Sequence, residues 1–124
     1  MEGGRLILFL DDNVSRAALF SNRSTGTDRA RTIWARTAEE AIEALELHGP
    51  DFDMIHLDHD LGGTQFQDSR SEESGMQVVR FLEKTGTAKT AKIIIHSWNL
   101  PAGKRMVERL TDAGYRTQQR PFGM

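Results

Sequence analysis

Apolar residues along this chain fall in short unbroken blocks, and each block is closed by polar residues that carry chemistry. Arg5-Leu-Ile-Leu-Phe-Leu10 stops abruptly at Asp11-Asp12-Asn13. Arg31-Thr-Ile-Trp-Ala-Arg36 reads as a second strand, Asp53-Met-Ile-His-Leu57 as a third, Lys92-Ile-Ile-Ile-His96 as a fourth and Tyr115–Gln119 as a weak fifth. The unalternating run at Leu6–Leu10 suits a central strand buried on both faces. Between them the spacing turns helical. Val14–Phe20 offers a short stripe through Val14, Ala17 and Ala18. Thr37-Ala-Glu-Glu40 forms a capping box ahead of a helix that buries Ala38, Ala41, Ile42 and Leu45 and ends at Gly49-Pro50. Gly75–Thr85 presents Met76, Val79, Phe81 and Leu82. A helix capped by Asn99 or Leu100, with Pro101 in its first turn, runs through Met106, Val107 and Leu110 to Gly114.

Strand and helix thus alternate with no hairpin signal. That order predicts an α/β fold, a five-stranded parallel sheet with helices on both faces in three layers. Residues 21–29 and 62–74 read as polar connections, the second longer than most strand-to-helix loops. No repeat or linker divides the 124 residues, so one domain over 1–124 is expected, and a chain of this length can bury a single core.

Composition narrows the chemistry. There is no cysteine, which excludes disulfides, thiolate metal sites and a Cys nucleophile. The longest apolar run, Leu6–Leu10, is far short of the roughly 18 residues of a membrane span. Met1-Glu2-Gly3-Gly4-Arg5 lacks the pattern of a signal peptide, so a cytoplasmic protein with no membrane partner is expected. Sixteen basic and eighteen acidic residues leave a net charge of −2, which argues against a surface that tracks nucleic acid everywhere and against DNA sequence recognition. Twelve of the basic residues are Arg. A G+C-rich genome would produce that skew without a functional reason.

The candidate site lies where the apolar blocks end. Strand one closes on Asp11-Asp12, strand three on Asp58-His59-Asp60, and strand four on His96-Ser97. Ligands of open α/β sheets bind beyond the carboxyl ends of the strands, so if these three strands are neighbours the seven side chains share one crevice. Four carboxylates in one crevice repel one another unless a cation sits among them. Oxygen donors suit Mg²⁺, and the imidazoles extend the choice to Mn²⁺ or another transition metal. Each piece alone also has a plain structural reading. Paired Asp after a strand is often a turn with a helix cap. His56 reads as a hydrogen-bonded core residue, His48 as a favourable charge at a helix end, and Trp34 and Trp98 as packing. The set, in this order, is what carries the functional reading.

Over residues 5–122 these motifs resemble the receiver domain of two-component response regulators. The resemblance implies a flavodoxin-like sheet of order 2-1-3-4-5. It equates Asp11 and Asp12 with the family's paired acids, Asp58 with its phospho-accepting Asp, and Asp60 with the residue whose carbonyl binds Mg²⁺. Ser97 matches the family's Ser or Thr after strand four. Arg120-Pro121 stands where that family has Lys-Pro, and a planar fork replaces a point charge. His59, His96, the long loop after strand three and the lack of a fifth helix are further departures. Leu-Phe-Leu-Asp-Asp, Leu-Asp-His-Asp-Leu-Gly and Ile-His-Ser-Trp-Asn-Leu-Pro look much more like a divergent branch, the cyclic-phosphate-processing receiver domains.

The expectation is therefore a metal-dependent phosphoesterase acting on a nucleotide or RNA phosphate, with a 2′,3′-cyclic phosphate end as a candidate substrate. Asp11, Asp12 and Asp58 would hold Mg²⁺ or Mn²⁺. Asp58 could instead attack phosphorus, with Asp60 as acid/base by analogy to other Asp-x-Asp phosphatases. His59 or His96 would protonate the leaving oxygen, and Ser97 and Arg120 would bind phosphate. The rivals are a signalling domain phosphorylated on Asp58 and a non-catalytic docking module. Without a fifth helix, apolar surface near Val14, Leu19 and Phe20 would be left bare, and a homodimer is expected to cover it.

Overall fold

A computed structural model of the chain describes residues 5–13, 31–59, 74–97 and 99–120. Five strands, β1 (Leu6–Leu10), β2 (Arg31–Ala35), β3 (Met54–Leu57), β4 (Lys92–Ile95) and β5 (Arg116–Gln119), form one sheet of order β2-β1-β3-β4-β5, parallel throughout. Three described helices, α1 (Ala38–His48), α2 (Met76–Thr85) and α3 (Leu100–Asp112), connect the strands from β2 onward. This is the flavodoxin/receiver-like arrangement that the resemblance implied. The stripe at Val14–Phe20, the loop from 62 through 73 and the patch on which a homodimer was expected lie outside the described residues. Among the described residues no helix follows β5, and none is long and apolar enough to cross a membrane.

Alternation within the strands decides where the core sits. Leu6, Leu8 and Leu10 of β1, Ile55 and Leu57 of β3, and Ile93 and Ile95 of β4 all turn to one side. There they meet Ala38, Ala41 and Leu45 of α1, Met76, Val79 and Leu82 of α2, and Met106 and Leu110 of α3. Ile42, Phe81 and Val107, expected among the buried positions, pack at the margin of this core instead. Ile7, Phe9 and Ile94 on the opposite side of the sheet are also buried, which is why the strands read as continuous apolar runs.

Local signals set the ends of the elements. The Thr37 hydroxyl accepts from the Glu40 amide, as the capping box requires, but the Glu40 carboxylate reaches past Thr37 to the Arg36 amide at 2.7 Å. Asp53 precedes β3, and its carboxylate accepts the Leu6 amide at 2.9 Å. α2 stops at Gly86, in the left-handed region at φ 69°, where a side chain would be strained. α3 is capped by the Asn99 side chain, which accepts from Ala102, with Pro101 in the first turn.

Candidate functional site

The hydrogen-bond ladder runs one step beyond each strand, and this is what gathers the site. The Asp11 amide donates to Ala35, the Asp58 amide to Leu10, the His96 amide to Leu57 and the Arg120 amide to Ile95. The first polar residue after β1, β3 and β4 is therefore held in register at the same end of adjacent strands.

Asp11, Asp58 and His96 come together there. Their donor atoms all lie within 4.8 Å of one another, and all three residues are buried. His96 Nε2 stands 2.9 Å from Asp11 Oδ2, and the His96 ring stacks on Phe9 with 4.9 Å between centroids and 2° between planes. Asp11 Oδ1 accepts the Asn13 amide at 2.8 Å, a two-residue turn that fixes the carboxylate. Asp58 Oδ1 accepts the His59 amide at 2.8 Å.

The remaining expected residues are spread around this group. Asp12 follows it on the surface side, half-buried. His59 is fully buried and is not part of the three-residue group. Ser97 is buried, and its hydroxyl accepts the Asn99 amide at 3.0 Å. Arg120 is exposed at the end of β5. Asp60 and Trp98 lie outside the described residues. His56, a core histidine on the sequence reading, is half-buried beside the stacked Phe9 and His96 rings, with Nε2 3.1 Å from the Met54 sulfur. Burial, and secondarily the charges of His96, Arg120 and Lys92, push its pKa down to about 3.

Three residues that build the site were not singled out from sequence for it. Asn13 fixes Asp11, as above. Trp34 contributes more than packing: its indole N–H donates to the Asp11 carbonyl at 2.7 Å while the ring stays partly exposed. Gly75 lies against the backbone of Asp58 and His59, where a Cβ would overlap the Asp58 carbonyl oxygen, and its amide donates to the His59 carbonyl at 2.8 Å. A glycine opening a helix after a long polar loop was the signal available for it.

The donor set fits a divalent ion. Adjacent ligands of an octahedral ion bonded at about 2.1 Å stand about 3 Å apart, and the 2.9 Å between His96 Nε2 and Asp11 Oδ2 matches that separation as well as a hydrogen bond. Two carboxylates with one imidazole suit Mg²⁺, and still better Mn²⁺ or a related metal.

The family described as the cyclic-phosphate processing Receiver domain matches residues 6–112. The chain belongs to this family. No curated protein matches it significantly. Among solved structures this receiver domain is similar to the phosphorylated cyanobacterial phytochrome response regulator RcpA, with a TM-score of 0.70 and 17% identity, covering 95% of this chain and 80% of that one. A CheY-like response regulator receiver domain protein from Methanospirillum hungatei aligns with a TM-score of 0.69 and 14% identity, covering 97% and 82%. A chain of the CheX-CheY-BeF3-Mg²⁺ complex from Borrelia burgdorferi aligns with a TM-score of 0.68 and 19% identity, covering 97% and 79%. At these identities the likeness establishes the receiver fold.

Proposed function

We propose that this receiver domain is a metal-dependent phosphoesterase acting on a nucleotide or RNA phosphate end, with 2′,3′-cyclic phosphates as the substrate class. The observation that carries the reading is the His96 imidazole, buried among the acids with Nε2 2.9 Å from Asp11 Oδ2. A domain that only accepts a phosphoryl group needs acids, a cation and a hydroxyl. Opening a phosphate ester also needs a proton for the departing sugar oxygen, and imidazole is the side chain suited to give one near neutral pH.

In this reading Asp11 and Asp58 hold the ion, with Asp12 beside them and Asp60 following in sequence. A divalent ion bound there supplies charge neutralisation for the phosphoryl oxygens. His96, oriented by Asp11 and by its stacking on Phe9, delivers the proton to the leaving oxygen. His59, with its ring buried outside the group, is the weaker candidate for that step. Asp58 either receives a proton from attacking water or attacks phosphorus itself. The Ser97 hydroxyl and the Arg120 guanidinium bind the phosphate.

One observation favours a second reading. Asp58 ends β3 of a receiver fold, and structures with that fold include a phosphorylated response regulator and a CheY complex containing BeF3 and Mg²⁺. In that reading Asp58 accepts a phosphoryl group and a partner protein reads the change, or the fold docks a partner without chemistry. The test is a screen of the purified protein, with Mg²⁺ and Mn²⁺ separately, against cyclic and linear phosphate-ended nucleotides and RNA, beside incubation with acetyl phosphate. Hydrolysis of a cyclic phosphate is the expected result. A stable phosphoryl adduct on Asp58 with no ester hydrolysed would replace this reading with signalling.

A further inference from the structure

Beyond the site, the side of β4 and β5 that faces away from the described helices carries a row of cations. Alternate residues share that side, so Lys92, Ile94 and His96 stand beside Arg116, Gln118 and Arg120. The register pairs Lys92 with Arg116 and Ile94 with Gln118, and the Arg120 amide bond to Ile95 carries it one step further. Ile93 and Ile95 take the other side, in the core. Lys92, Arg116, Gln118 and Arg120 are all exposed while Ile94 and His96 are buried, so the open part of the strip follows Lys92 and β5, and neither strand contains an acid. His56 of β3 adjoins the strip on the same side, where the charges of Arg120 and Lys92 both reach it. From Lys92 to the level of Arg120 the strip spans about 13 Å, four residues at about 3.3 Å each. Its upper end adjoins His96.

We infer that this strip seats the backbone of a single RNA strand whose phosphate end enters the Asp11–Asp58–His96 cluster, an inference that rests on the function proposed above. One phosphate needs the cations at one end of such a strip. A row of them leading away from the cluster is complementary to a row of phosphodiesters. A 2′,3′-cyclic phosphate requires a 2′-hydroxyl, which makes the strand RNA. A second copy of the chain fits this surface poorly, because a two-fold contact would set the same cations against one another. The near-neutral net charge of the whole protein agrees with a basic track confined to one strip.

The test compares the full chain with Lys92→Gln/Arg116→Gln, and with Lys84→Gln/Lys104→Gln, which removes as much exposed positive charge from the helices. Binding of a labelled oligouridylate ending in a 2′,3′-cyclic phosphate is measured over a range of salt, and turnover of uridine 2′,3′-cyclic phosphate is followed in parallel. The strip variant should lose affinity for the oligonucleotide, and its salt slope should fall by about 1.4, the share of two phosphate contacts to a single strand. The helix variant should bind as wild type, and mononucleotide turnover should be unchanged in both. Equal oligonucleotide affinity in wild type and strip variant overturns the inference. So does binding of polyglutamate through the same residues without binding of the RNA, which would assign the strip to an acidic protein. Absence of turnover in every protein would sink the phosphoesterase reading, while the binding comparison still decides the RNA track.

Discussion

At the scale of single residues, the site depends on a glycine as much as on its acids. Gly75 has ordinary helical dihedrals, so its role is close approach rather than conformational freedom. Alanine there would push a methyl group into the Asp58 carbonyl and move the backbone that aims the Asp58 side chain. Gly75→Ala should cost about 1–3 kcal/mol of stability, as overpacking does. Mn²⁺ should raise the melting temperature of the wild type by binding the native cluster, and Gly75→Ala should reduce that rise. Asp11→Asn with Asp58→Asn should abolish that rise altogether, and thermal scans with and without metal check both. His56 makes a second prediction. Its pKa near 3 in the folded chain lies below the ordinary 6.5 of the unfolded chain, so between these values the unfolded state binds more protons. Its contribution to stability is complete above pH 6.5 and is lost as pH falls toward 3, by at most about 1.4 kcal/mol per unit. Denaturation in chelator at pH 7 and in mild acid should show His56→Gln gaining on the wild type as pH falls.

Elements were legible where one local signal decides them. The apolar blocks mark four strands, a weaker pattern marks the fifth, and the Thr37 and Asn99 caps mark the starts of two helices, because each depends on residues within four positions of one another. The sheet order was not in the blocks themselves; it came with the resemblance. The acids and the histidine at the ends of β1, β3 and β4 were legible as a set because parallel neighbours bring strand ends together. What sequence did not reveal were contacts between residues far apart in the chain, such as Trp34 with Asp11 and Gly75 with Asp58, since no local pattern encodes them. Tyr115 is another. In sequence it is only the start of a weak strand, yet its hydroxyl lies 3.0 Å from the Leu82 carbonyl and 2.7 Å from that of Thr87, tying the end of α2 to the start of β5. Burial raises its pKa to about 12, so it stays a neutral donor across the working range. Because Leu82 also accepts the Gly86 amide, Tyr115→Phe leaves chiefly the Thr87 carbonyl without its bond. A loss of about 1 kcal/mol is expected in urea denaturation.

At the scale of the whole molecule, the same receiver fold serves either an enzyme or a switch, and Asp58 cannot tell them apart because both need it. His96 can. In a switch it is one wall of the acid cluster, and replacing it leaves the acids, Ser97 and Arg120 in place. In an enzyme it is the proton source, and general acid catalysis is worth about a hundred- to ten-thousand-fold in rate, roughly 3–5 kcal/mol of barrier. His96→Ala should therefore lose turnover of a cyclic phosphate on that scale. His96→Gln keeps a hydrogen bond to Asp11 without a titratable proton, so it should fold as wild type and be equally slow. The proton requirement also separates the chemical step from metal binding. A substrate whose leaving group is a nitrophenolate needs little protonation, so it should recover most of the lost rate in His96→Gln if the metal site is intact. If the nitrophenyl ester is lost as completely as the sugar ester, His96 acts by holding the ion and Asp11. If both variants turn over the cyclic phosphate as wild type does, His96 has no part in the reaction.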